Sequence, residues 1–130
     1  MSKAPGYQRS PNHTIRENHL TQRVTVEIDG QRVADSTDVI RVEEDGHPPR
    51  YYFPRGDVQL SLLEPTSTTT QCPFKGTARY FSVHAGGKSG VHLDDAVWTY
   101  EEPYDEHQGL KGRLAFYDDK YQNIRVRAQS

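Results

Sequence analysis

The chain has 130 residues, with 16 basic and 18 acidic side chains and a formal charge of −2, which removes any long-range pull toward nucleic acid or an anionic membrane. Hydrophobic residues make up only 33% of it, and no apolar run approaches the roughly 20 residues that cross a bilayer, so the composition suits one domain rich in turns and solvated strand faces. A lone cysteine closes no internal disulfide and the first residues lack the apolar core of a signal peptide, so a reducing cytoplasm is the expected setting.

Residues 1–12, with Pro5, Gly6, Ser10, Pro11 and Asn12 and almost nothing apolar, read as a flexible tail, and a single domain is expected over 13–130. Residues 23–28 alternate polar and apolar with period two. Asp29-Gly30 is a preferred two-residue turn before residues 31–35, which makes this stretch a β-hairpin. Residues 38–43 read as a third strand, stopped by Asp45-Gly46 and Pro48-Pro49, and the aromatic run Arg50-Tyr51-Tyr52-Phe53 as a fourth. Asp57 is placed to cap a short helical turn over 57–63, ended by Glu64-Pro65, and residues 66–70 form a hydroxyl-rich loop. Strands follow over 77–83 and 95–101, then a helical turn between Glu102 and Gly109. Residues 113–117 and 123–127 are expected to pair around Asp118-Asp119-Lys120. The sum is an all-β fold of short antiparallel strands with one or two helical turns.

Gly87-Lys88-Ser89 imitates the end of a phosphate-binding loop. The position five before Gly87 is Ser82 rather than glycine, and a strand follows where a helix is required, so a nucleotide loop is rejected.

Thr70-Gln71-Cys72-Pro73-Phe74-Lys75-Gly76 gathers the only cysteine, a lysine, a proline and a glycine within seven positions. Pro73 pushes Cys72 toward extended geometry, which places the thiol in a rigid bend or at the start of a strand. A thiol is a useful nucleophile only as thiolate, and the Lys75 ammonium is the natural group to favour that form. The competing reading is that Cys72 packs as a small hydrophobe.

The ordered series Pro49-Arg50-Tyr51-Tyr52-Phe53-Pro54, Asp57-Val58, Leu63-Glu64-Pro65, Thr70 to Ala78, Ala96-Val97-Trp98-Thr99-Tyr100-Glu101 and Leu114-Ala115-Phe116-Tyr117 resembles the family called domain of unknown function 427, over about residues 13–127. The resemblance implies an all-β, β-tent-like domain, similar in outline to some sulfoxide reductases and zinc-binding chaperones. Those proteins often hold structural zinc through two Cys-x-x-Cys pairs, which this chain lacks, so zinc is not carried across. The family's nucleotidyltransferase-like label implies paired metal-binding carboxylates after a Gly-Ser turn, and these are not found.

Cys72 and Lys75 are the candidate catalytic pair. Tyr51, Tyr52, Tyr80, Trp98 and Tyr100, with the acids Asp57, Glu64 and Glu101 inside the matched motifs, are the candidate ligand-binding residues. Core packing and helix or turn capping are the competing roles for the aromatics and acids. Alternation places Trp98 and Tyr100 on one strand face and Glu101 with Val97 and Thr99 on the other. The six histidines show no ligand spacing, so no metal site is expected from them, and no cofactor is assigned. Three readings follow. Cys72 attacks or holds a small electrophile; or the aromatics and Lys75 bind an anionic metabolite without turnover; or an exposed strand edge pairs two copies as a homodimer. Nucleic acid and membrane are not expected partners.

Overall fold

A computed structural model describes residues 2–129. Among them, ten strands form two antiparallel sheets. Strands β1 (Ile15–His19), β4 (Ile40–Glu44), β5 (Arg50–Phe53), β6 (Leu63–Cys72), β7 (Gly76–Ala85), β8 (Val91–Tyr100) and β9 (Leu114–Phe116) make the larger sheet, in the order β1-β4-β5-β9-β8-β7-β6. Strands β2 (Val24–Ile28), β3 (Gln31–Ser36) and β10 (Ile124–Ala128) make the smaller, in the order β10-β2-β3. The helical content is the one-turn α1 (Gly6–Arg9) and short 3-10 turns, so the fold is all-β, as the composition and turn spacing require.

The β2–β3 hairpin forms at its expected turn. Asp29 and Gly30 adopt φ of 47° and 84°, the two left-handed residues whose twist matches the flanking strands. The alternation of β2 sends Val24, Val26 and Ile28 inward, all fully buried. They meet Phe53, Val83, Val97, Leu114 and Phe116 from the larger sheet in an aliphatic-rich core between the two layers. Each such side chain stabilises the fold by about 1.5–3 kcal/mol through loss of apolar contact with water.

The larger sheet has a second buried face. Because successive strand residues point to opposite sides, the neighbours of these core residues, namely Tyr52, Tyr80, Trp98, Tyr100 and Ala115, gather on the reverse with Ile40, Val42 and Leu110. Ala115 stands opposite Tyr52 on one side and Trp98 on the other. Its small side chain lets the two rings meet over it, 6.2 Å between centroids and nearly perpendicular.

Several segments differ from the sequence expectation. Residues 57–63 are not one helical turn: 3-10 turns cover Arg55–Asp57 and Leu60–Leu62, and Leu63 opens β6. The hydroxyl-rich stretch 66–70 is strand, since β-branched threonines suit an extended edge and Pro65 is tolerated where no inner neighbour needs its N–H. The terminal strands do not pair with each other. β9 inserts between β5 and β8, while β10 crosses to β2 in the smaller sheet. The strand β1, paired with β4, carries one strongly apolar residue, Ile15, and so gave no alternating signal.

The segment expected as a tail is tied to the body from Ser2 onward; Met1 lies outside the described residues. The Gly6 amide donates to the Pro73 carbonyl at 2.8 Å, the Ala4 amide to Glu106 Oε1 at 2.9 Å, and the Asp105 amide to the Ser2 carbonyl at 2.8 Å. The Tyr7 hydroxyl meets Nε2 of buried His107 at 2.7 Å, and Glu17 Oε2 holds the other ring nitrogen at 2.6 Å. Backbone bonds and one aromatic do this work, which an apolar pattern does not reveal.

Candidate functional site

The β6–β7 hairpin places the heptapeptide. Cys72 ends β6 opposite Gly76, so Pro73, Phe74 and Lys75 are the tip of the hairpin. Gly76 has φ of 123°, and a Cβ there would come 3.2 Å from the Glu102 carbonyl oxygen, so the turn needs glycine for both backbone and space. Phe74 stacks on His13 with centroids 4.2 Å apart and meets Tyr7 edge-on at 5.0 Å. The Tyr104 amide donates to the Lys75 carbonyl at 3.0 Å. Held on both sides, the tip aims Cys72 and Lys75 at the aromatic face of the larger sheet.

Between the tip and that face lies a cavity of about 340 Å³. Its floor is Tyr52, Tyr80, Trp98, Tyr100 and Tyr117, and its rim includes His13, Glu44, His47, Arg50, Cys72 and Lys75. Trp98 Nε1 donates to the Tyr52 hydroxyl at 3.1 Å, and the Tyr80 hydroxyl meets Thr70 Oγ1 at 2.9 Å. Burial pushes the Tyr52 and Tyr100 hydroxyls well above the ordinary phenol range, and it raises Tyr117 to about 12. Tyr52, Tyr100 and Tyr117 therefore stay uncharged. Arg50 lies over Trp98 and Tyr117, 5.2 Å from each ring centre, and its guanidinium donates to Asp119 at 2.7 Å.

Lys75 is the most confined charge at the rim. Its ammonium donates to Glu44 Oε1 at 2.5 Å and stands 3.9 Å from Cys72 Sγ. Both partners of the ion pair are largely out of water, with side-chain exposures of 8% and 11%. Glu44 also meets His13 Nε2 at 2.8 Å. Burial opposes ionisation of Glu44, yet its hydrogen bonds with Lys75 and His13 outweigh that and hold its carboxyl below the ordinary range. The result is a carboxylate–ammonium–thiol series opening on an aromatic hollow. Cys72 itself is half-buried.

Of the residues singled out from sequence, the structure brings together Cys72, Lys75, Tyr52, Tyr80, Trp98 and Tyr100. It places the other four elsewhere. Tyr51 points to the opposite side of β5 and packs on the core between the sheets. Asp57 accepts a hydrogen bond from Ser36 Oγ at 2.6 Å, bracing the 3-10 turn to β3. Glu64 is exposed and pairs with His84, and exposed Glu101 lies within 4.0 Å of Arg55 and 3.9 Å of Arg79. Tyr117, one of the aromatics the sequence offers for a pocket, lines the cavity too, and Glu44, His13, His47 and Arg50 line it without having been candidates. Arg50 stands within the Pro49-Arg50-Tyr51-Tyr52-Phe53-Pro54 motif, which was the available signal. Glu44, the last residue of β4, and His13, two residues before β1, are brought together beside Lys75 only by the pairing of the sheet.

Among the described residues, no three His, Cys, Asp or Glu side chains converge to hold a metal ion, and no helix is long and apolar enough to cross a membrane. Fold and site thus define an all-β protein with a small, aromatic-floored pocket and a thiol at its rim. The family model described as Domain of unknown function (DUF427) matches residues 16–127, and the chain belongs to that family. No curated protein sequence matches the chain.

Proposed function

We propose that the protein binds a small electrophilic molecule in this pocket and engages it through the Cys72 thiol. The observation that carries the reading is the Lys75 ammonium, bridging Glu44 Oε1 at 2.5 Å and Cys72 Sγ at 3.9 Å at the rim of the aromatic cavity. The ammonium is placed to face negative charge that develops on the sulfur during attack, and Glu44 fixes it in place. With an acyl compound, the Cys72 sulfur would form a bond to the carbonyl carbon as the bond to the leaving group breaks. The leaving group would take its proton from Lys75 or from water. The cavity of about 340 Å³ suits a ligand at the small end of the usual range. A reducing cytoplasm is the setting we infer, because the single cysteine must stay free for this role.

The test is the alkylation rate of Cys72 as a function of pH. The wild type should react with iodoacetamide faster than the K75M variant below pH 8, and E44Q should change the profile in turn. A Cys72 that resists alkylation in the folded protein, or one indifferent to K75M, removes the reading. The placement of Arg50 and Lys75 on the same cavity favours a second, non-catalytic reading, in which an anionic metabolite is held between them. There C72S should leave binding intact while K75M weakens it, as read in a thermal-shift screen of small carboxylates and phosphates.

A further inference from the structure

At the other end of the β7–β8 ladder, His84 and His92 stand directly opposite each other. We propose that this cross-strand pair is a binding site for a divalent transition-metal ion, with the two Nδ1 atoms as ligands. The inference is independent of the Cys72 pocket.

The hydrogen bonds of the pair carry it. His84 Nε2 meets Glu64 Oε2 at 3.0 Å and His92 Nε2 meets Asp94 Oδ1 at 2.6 Å. An ionised carboxylate only accepts, so each Nε2 carries its hydrogen, and the exchangeable position of each ring is Nδ1. The two Nδ1 atoms face each other at 3.1 Å. Two lone pairs at that separation repel unless something positive lies between them, either a shared proton or a metal ion. An ion bound about 2.0–2.1 Å from each nitrogen would be subtended at roughly 100°, within the range of tetrahedral or octahedral coordination. A carboxylate on the far nitrogen of each ring is the outer-shell arrangement that orients imidazole ligands and raises their basicity.

The setting suits reversible binding. The side chains of His84 and His92 are 54% and 47% exposed, so an ion reaches them from water and keeps water in its remaining positions. The strands holding them are joined by a turn pinned through Gln31 Oε1, which accepts from the Gly86 and Gly87 amides at 2.9 and 3.2 Å. Two protein nitrogens and solvent give modest affinity, ordered Cu²⁺ above Ni²⁺ and Zn²⁺. The eight-residue separation is no recognised ligand motif. The pair exists because the hairpin register brings the two positions together.

The experiment is a titration of the full-length protein, free of any affinity tag, with Zn²⁺ and Ni²⁺. Binding is followed by calorimetry, and the site is located by histidine imidazole resonances in NMR spectra. One ion should bind saturably and perturb His84 and His92. H84N or H92N alone should lower affinity at least about tenfold, and E64Q or D94N by up to about tenfold. Thermal unfolding of each variant confirms that these exposed substitutions leave the fold in place. Absence of saturable binding, affinity unchanged in H84N and H92N, or perturbation centred on His13 and His47 would each overturn the proposal. In the first case the pair is a cross-strand contact and not a metal site.

Discussion

The two faces of the larger sheet are built from the same strands and do different things. On one, Phe53, Val83, Val97, Leu114 and Phe116 are sealed against the smaller sheet. On the other, Tyr52, Tyr80, Trp98 and Tyr100, one residue away along the same strands, are also nearly solvent-free but line a hollow. Aliphatic and phenylalanine side chains interdigitate without polar atoms, so that face closes. Tyrosine and tryptophan each carry one polar group that needs a partner, and these four rings with their hydroxyls and indole N–H cannot close against one another as tightly. The lesson is that period-two alternation divides this sheet into a face sealed by apolar packing and a face that lines a cavity.

The contrast predicts an ordered set of effects on stability. Phe53→Ala, on the sealed face, should cost about 3–5 kcal/mol in urea unfolding, because the neighbouring Phe116 cannot collapse into the space. Glu44→Ala at the pocket rim should cost about 3 kcal/mol, since it leaves the Lys75 ammonium buried without its counter-charge. A cost near zero would mean that Lys75 swings out to water. Tyr52→Phe removes the acceptor of Trp98 Nε1 and should cost about 1–2 kcal/mol. Tyr100→Phe should change stability by under about 0.5 kcal/mol, because its hydroxyl makes no side-chain hydrogen bond among the described residues. Were Tyr100→Phe as damaging as Phe53→Ala, the division between the two faces would fail.

Acid offers a further way to sharpen the comparison. The carboxyl of Glu44 is held below its ordinary value of 4.5 in the folded protein, so its contribution to stability is fully present above that pH and is lost as pH falls through the depressed folded value. The stability difference between wild type and E44Q should therefore be constant near neutrality and shrink below about pH 4.5, measured by urea unfolding at pH 7, 5 and 3.5. The same titration on Phe53→Ala should show a difference independent of pH.

Much of this was legible in the residues. Asp29-Gly30 announced the hairpin, and alternation along residues 97–100 correctly separated Trp98 and Tyr100 from Val97 and Thr99. What was hidden is non-local. The insertion of β9 between β5 and β8 joins positions about 60 residues apart on one side and about 20 on the other, and no local pattern encodes that choice. Glu44 fell between the strand expected over 38–43 and the Asp45-Gly46 turn, and its partner Lys75 lies 31 positions away. Asp57, Glu64 and Glu101 were marked because they stood within motifs, but their carboxylates serve turn bracing and surface pairing.

Trp98 is the sole indole in the chain, and it forms part of the cavity floor beneath Arg50 and beside Tyr117. Its emission therefore comes from one place in the molecule. A compound that enters the hollow would meet that ring or shift the guanidinium above it, and either event would alter colour and intensity. A single indole at this place makes intrinsic fluorescence a direct way to ask, in a plate reader and without labels, whether any compound of a collection enters the cavity.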